Sequence, residues 1–167
     1  MDRVSGAVSP AFFFQNIWLV LVTAPKSRIA ALNYLIRRLP RDDGVSAAVV
    51  GHDFGLMVRA FTATLEDAQL LVQRAILDLL LATLKIDATA FAEQTRRDDQ
   101  VLLMKAVVAV VLRRDLSLSR RLYAWLLGTD DNSDAQVAYL KQHGLSLLHR
   151  ALKVRLSLAP LWSHGGN

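Results

Sequence analysis

Every long segment of this 167-residue chain repeats its apolar residues at helical spacing, and none alternates apolar with polar as a half-buried strand would. The helical segments are punctuated at a regular interval. Ser9-Pro10, Asp53-Phe54 and Asp98-Asp99 each open a helix, so starts near Pro10, Phe54 and Asp99 recur about every 44–45 residues. That interval falls within the ~40–47-residue unit of HEAT and armadillo arrays, whose helical hairpins bury their apolar faces by stacking on neighbours. The pattern predicts an all-α fold, a HEAT/armadillo-like array of helical hairpins forming a fragment of an α-solenoid. A closed helical bundle is the alternative.

In chain order, residues 1–9 read as a loose tail, 10–157 as one helical domain and 158–167 as a flexible tail carrying Trp162. The first helix, to about Val22, is apolar on nearly every side, which implies burial between neighbours. Ala24-Pro25 restarts the chain as a helix with Ile29, Leu32, Leu35, Ile36 and Leu39 inward, and Lys26, Arg28, Asn33, Arg37 and Arg38 toward water. Pro40 with Asp42-Asp43-Gly44 breaks it, and residues 46–50 suit a short turn. Asp53 is placed to N-cap a helix over 54–64 with Phe54, Val58, Phe61 and Leu65 on one face. Residues 66–84 read as a longer helix with Glu66, Asp67, Gln69, Gln73, Arg74 and Asp78 on its polar edge. Its buried side is Leu70, Ile76, Leu77, Leu80, Leu81 and Leu84.

Residues 86–97 suit a loop with a short helical piece around Phe91. Apolar residues wrap all round 101–112, which predicts a central, fully surrounded helix. A last helix over 134–157 turns Val137, Leu140, Leu147, Leu148, Leu152 and Leu156 inward, and Gly144 weakens it by ~1 kcal/mol relative to Ala.

The richest stretch is residues 112–128, LRRDLSLSRRLYAWLLG. An apolar helix ends in Arg113-Arg114, and after a short break a second begins with Arg120-Arg121. Ser117 is the expected N-cap, Leu118, Leu122, Trp125 and Leu126 form one stripe, and Gly128 stands where a left-handed residue would end the helix. Two helices joined this closely must fold back as a hairpin. Arg120-Arg121 lies early in its helix, where the dipole disfavours cations, so Asp115 is expected to pair with one of them across the turn. The arginine doublets at 37–38, 96–97, 113–114 and 120–121 read as charges at helix ends that either lock hairpins or meet an anionic partner. Trp18 and Trp125 lie on apolar stripes and belong in the core.

Composition narrows function mainly by exclusion. With 53% hydrophobic and 21% charged residues the chain is not disordered, and having no cysteine it forms neither disulfide nor thiolate metal site. The apolar runs at 11–22 and 101–112, interrupted by Gln15-Asn16 and Lys105, fall short of the ~18–20 residues that cross a bilayer. The same polar pair and three consecutive phenylalanines argue against a signal peptide. No nucleophile elbow, phosphate-binding glycine loop or His-Glu-x-x-His appears, and His52, His143, His149 and His164 lack ligand spacing. The pairs Asp42-Asp43, Asp98-Asp99 and Asp130-Asp131 suit helix starts rather than acid catalysis. No catalytic residue, metal or cofactor is expected. The net charge of +5 suits anionic lipid, nucleic acid or an acidic protein patch about equally.

The hairpin at 112–128 also resembles the signature of the N-terminal domain of the Dopey family of membrane-traffic proteins. So do FFFQNIWLVLVTAPKSRIAALNYLIRRLP at 12–40, Leu56-Met57-Val58 and Leu71-Val72-Gln73-Arg74, in the family's order. The resemblance implies a non-enzymatic cytosolic protein, peripheral to Golgi, trans-Golgi network and endosomal membranes, that serves as a scaffold in retrieval and sorting between them. Its implied partners are a large scaffold related to Arf exchange factors, a phosphoinositide membrane surface and kinesin. No nucleic acid and no transmembrane segment are implied. Family-signature positions expected to matter for interaction are Arg113, Arg114, Asp115, Ser117, Arg120, Arg121, Tyr123, Trp125 and Gly128. Family proteins are many times longer, so the chain is expected to be a fragment, a shortened product or a divergent relic. A basic nucleic-acid-binding module and a purely structural solenoid segment are the alternatives.

Overall fold

The computed structural model describes residues 8–39 and 53–157. Helix α1 (Pro10–Thr23) opens as proline chemistry requires: Ser9 is extended, its Oγ accepts the Phe12 N–H, and Pro10 occupies the first helical position. A 3-10 turn (Pro25–Ser27) leads into α2 (Arg28–Arg38), the axis swinging through 119°. Then follow α3 (Phe54–Leu65), α4 (Leu70–Thr83), the short α5 (Thr89–Gln94) and α6 (Arg97–Ala109) with a 3-10 extension (Val110–Arg113). Helix α7 (Leu116–Leu127) comes next. Last is a bent rod made of α8 (Ser133–Tyr139), a π turn (Leu140–Gly144) and α9 (Leu145–Ser157). No strand occurs among the described residues.

These helices form two layers in which sequence neighbours of each layer touch. Helix α1 packs on α3, α3 on α6 and α6 on α9; in the second layer α2 packs on α4 and α4 on α7. The first-layer helices α1, α3 and α6 start at Pro10, Phe54 and Arg97, about 44 residues apart. The fold is therefore the expected array of helical hairpins. One core runs through it: Trp18 stacks on Phe61 at 5.9 Å, and Phe91 meets Trp125 edge-on at 6.1 Å. The Trp125 indole N–H donates to the Leu84 carbonyl at 2.8 Å, which satisfies its buried polar atom. Beneath α5, the buried Gln100 amide donates to the carbonyls of Phe91, Ala92 and Thr95, closing the loop onto α6.

Several expectations about which side faces water are corrected. Helix α6 buries Leu103, Met104, Ala106 and Val107, but it is not surrounded: Leu102 is exposed, and beyond it Val111 and Leu112 are 39% and 66% exposed. Its neighbours in the layer cover two sides only, and its last turn tightens into a 3-10 coil that projects past them. For the same reason α1 leaves Phe12 and Leu19 in solvent. In α2 the roles of adjacent residues are exchanged, Arg28 being buried and Ile29 exposed.

Residues 66–69 form a turn rather than the start of α4, and Asp67 and Gln73 are buried instead of lying on a polar edge. Asp53 holds the N-cap position of α3 but gives its carboxylate to Arg59 at 2.9 Å. The α6 start is Arg97, with Asp98 and Asp99 in the first turn. On the last rod Val137 and Leu152 face out while Leu147 and Ala151 face in. Gly144 sits in the π turn, where a Cβ would come within 3.0 Å of Leu140 Cδ1 and 3.2 Å of Ile86 Cδ1. Its bare backbone lets the rod bend against the core. The predicted turn at 46–50, the break at Pro40 and Trp162 lie outside the described residues.

Candidate interaction surface

The hairpin turns line up along one edge. The turn after α3 and the turn after α6 are joined by direct bonds: Arg113 donates to the Asp67 carbonyl at 3.1 Å, and Arg74 to Asp115 Oδ2 at 2.9 Å. One unit earlier the same logic appears in a buried form. Arg28 donates through Nε to the Leu21 carbonyl at 2.8 Å and through Nη1 to Asp67 Oδ2 at 2.7 Å. In both cases an arginine near the start of a second-layer helix reaches the carboxylate in the next unit's turn. Burial pushes the Asp67 carboxyl up, but the Gln69 N–H and the Arg28 guanidinium outweigh it and leave it below its ordinary value.

At the α6–α7 turn the cap is Asp115, not Ser117. Asp115 Oδ1 accepts the Leu118 N–H at 2.9 Å. That N–H, together with the Arg74 guanidinium, holds the Asp115 carboxyl below the usual range. Aspartate suits this place because its second oxygen stays available to Arg74, which a serine hydroxyl could not offer as an anion.

The expected pairing of Asp115 with Arg120 or Arg121 is therefore replaced. Arg121 forks onto Asp78 of α4, Nε to Oδ1 at 2.6 Å and Nη2 to Oδ2 at 3.2 Å, and also donates to Ser117 Oγ at 2.6 Å. The Asp78 bond raises the Arg121 pKa further, so the helix tolerates a cation in its early turns. Arg120 points to solvent with no hydrogen-bond or ion-pair partner among the described residues. Arg114 takes φ of 54°, the left-handed conformation that lets the backbone reverse between α6 and α7.

Tyr123 is half exposed, and Trp125 is buried as expected. Gly128 ends α7 with φ 78° and ψ −176°; the positive φ was anticipated, but with this extended ψ it is a conformation essentially confined to glycine.

Three residues that the periodicity did not single out complete this edge. Leu71, Leu112 and Leu116 are 66%, 66% and 87% exposed, beside Arg113 and Arg114. A signal for Leu116 existed: it lies two residues before Leu118, about 200° round a helix from the buried stripe. These three open apolar side chains stand among cations on adjoining turns, an uncommon exposure for leucine.

A second concavity, about 450 Å³, lies between α7 and the loop after α4 and is lined by Lys85, Asp87, Trp125 and Tyr139. Burial, with the charge of Asp87, pushes the Tyr139 phenol up to about 12, so it is a neutral hydroxyl at physiological pH.

The layered hairpins define an all-α helical array, with a basic edge tipped by exposed leucines. The family model described as "Dopey, N-terminal" matches residues 1–131. Protein dop1 of Emericella nidulans is 36% identical over 148 residues, covering 75% of this chain and 8% of that protein. Mouse Protein DOP1B is 36% identical over 134 residues, 77% of this chain and 6% of its own length. Protein pad-1 of Caenorhabditis elegans is 33% identical over 178 residues, 95% of this chain and 7% of its own. The chain belongs to the Dopey family, and it spans less than a tenth of the length of these relatives. No solved structure matches it significantly.

Proposed function

We propose that this chain is a non-catalytic helical scaffold in vesicle-mediated protein transport between endosomes and the Golgi, working at the cytosolic surface of Golgi, trans-Golgi network and endosomal membranes. Family membership supports the transport role, and one observation carries the membrane contact: Leu71, Leu112 and Leu116 stand in solvent along the edge that also presents Arg113 and Arg114. Leucines at such an edge enter the boundary between headgroups and acyl chains, while each nearby arginine adds about 1 kcal/mol on an anionic leaflet. The chain's protein partners, by family resemblance, are a large Arf-exchange-factor-like scaffold and kinesin.

A nucleic-acid role is the weaker reading. Arg28, Arg59, Arg74 and Arg121 are engaged with carboxylates of the same chain, so these four cannot displace counterions from a phosphate backbone without breaking an ion pair.

Flotation with phosphatidylcholine vesicles, with and without a 4-phosphorylated phosphoinositide, tests the contact. The chain should float with the phosphoinositide vesicles, less at high salt, and Leu112→Asp/Leu116→Asp should stay in the soluble fraction. Equal behaviour of the two proteins would remove this edge from membrane binding. Proximity labelling in cells tests the transport reading separately: enrichment of Golgi and endosomal proteins is expected, and a profile matching the free labelling enzyme would reject it.

A further inference from the structure

Helices α4 and α7 lie side by side and finish together, where the Trp125 indole N–H meets the Leu84 carbonyl. Around that finish lies the concavity of about 450 Å³, walled by both helices, by the loops that follow them and by α8. Its inner wall is apolar, built from Leu81, Ala124, Leu127 and Ala135. The polar atom buried beside them, the Trp125 indole nitrogen, already has its acceptor. The mouth is polar, with Lys85, Asp87, Thr129 and Asp130 exposed around it. A volume of this size, apolar inside with a few polar groups at the rim, is that of sites that hold whole small molecules.

Three features set the charge such a molecule should carry. Helix α4 closes with the Leu84 N–H on the Leu80 carbonyl, but Gly128 makes no such closing bond among the described residues and carries the chain away with ψ −176°. The last carbonyls of α7 therefore keep the negative end of its dipole, and no basic residue stands in that turn to meet it. At the rim, two carboxylates face one ammonium. Asp130 gives Oδ1 to the Asn132 N–H at 2.8 Å, and its other oxygen has no partner among the described residues. Tyr139 adds an electron-rich ring and, being neutral, no competing charge. That ring lies close over Gly128, where a Cβ would come within 3.5 Å of its Cγ.

We propose that this cavity binds a small organic amine, its aliphatic or aromatic body on the apolar wall and its ammonium at the mouth beside Asp130 and the end of α7. A bare metal ion suits the site poorly: its inner wall is apolar, and no group of three or more metal-ligating side chains occurs among the described residues. Lys85 alone would select an anion, and the carboxylates and the helix end oppose it. The proposal is independent of the transport reading and of the leucine edge, which lies where α4 and α7 begin.

Phenethylammonium, 2-phenylethanol and phenylacetate share one body and differ in charge, so titrating each into the full chain separates charge from apolar fit. The readout is the Trp125 indole and Gly128 amide resonances in a nitrogen-15 NMR spectrum near neutral pH. Saturable shifts are expected with phenethylammonium, about tenfold tighter than with the alcohol and weakest with the carboxylate. Asp130→Asn, which keeps an acceptor for the Asn132 N–H, should weaken the amine about threefold to fivefold and leave the alcohol unchanged. Lys85→Gln should tighten the amine. Ala135→Leu, which fills the cavity, should abolish the shifts while the rest of the spectrum stays in place. Absence of saturable binding, or equal affinity for the three compounds, would overturn the proposal. So would tightest binding of phenylacetate that Lys85→Gln abolishes, since the site would then select an anion.

Discussion

Two ion pairs in this molecule do the same topological job in different solvents. Arg28–Asp67 and Arg74–Asp115 each tie a second-layer helix to the turn of the following hairpin. The side chains of the first are 10% and 7% exposed, those of the second 37% and 20%. The first pair also closes a network, because Arg28 holds the Leu21 carbonyl and the Asp67 backbone receives Arg113. Burial, not the bond length, separates them: 2.7 Å and 2.9 Å are nearly the same distance. In low dielectric an unpartnered charge is what costs most, whereas water solvates an abandoned one cheaply.

The largest effect should come from Arg28→Met, which strands Asp67 in the interior and should lower unfolding free energy by about 3–5 kcal/mol. Urea denaturation measures it, and Arg28→Met/Asp67→Leu should recover most of the loss. A double variant as unstable as the single would show that the pair itself, rather than a stranded charge, holds the first two units together.

Next in size is a pH effect. Asp67 has a folded pKa below its unfolded value of about 3.9, so the unfolded chain binds the proton more readily. Its stabilisation is complete above the unfolded value and is lost as pH falls through the lower folded one. The urea midpoint should therefore drop as pH falls below about 4, and Asp67→Asn should flatten that part of the curve. An unchanged slope would place the acid sensitivity elsewhere.

The smallest effect should be Arg74→Met. Its partner Asp115 is only partly buried and keeps its capping bond to the Leu118 N–H, so the unfolding midpoint should move little. A loss comparable to that of Arg28→Met would mean the two turns are energetically alike and that burial is not what distinguishes them.

Much of this architecture could be read beforehand. Pro10 after Ser9 marked the first helix, the 44-residue rhythm marked the hairpins, and Trp18 and Trp125 fell on stripes that are buried. The errors share a cause. Residue type alone sets Ile29 inward and Arg28 outward. The fold instead spends Arg28 on a buried carbonyl and carboxylate 7 and 39 residues away. Sequence places Ser117 at the cap and gives Asp115 to Arg120 or Arg121; in the fold Asp115 is the cap, and its second oxygen meets Arg74 arriving from the preceding unit. Apolar residues all round 101–112 predict a fully wrapped helix, yet composition does not say how many neighbours a helix will have. Among the described residues none covers Leu112 or Leu116.

What the amino-acid order determined by itself was local and periodic. Backbone preferences at proline, glycine and capping residues, and the 3.6-residue recurrence of apolar side chains, act within one or two turns and so can be read along the chain. What only the tertiary structure decided was the partner of each charge and the fate of each exposed leucine. Those depend on which helices lie alongside, and a side chain's solvent is set by neighbours some forty residues away.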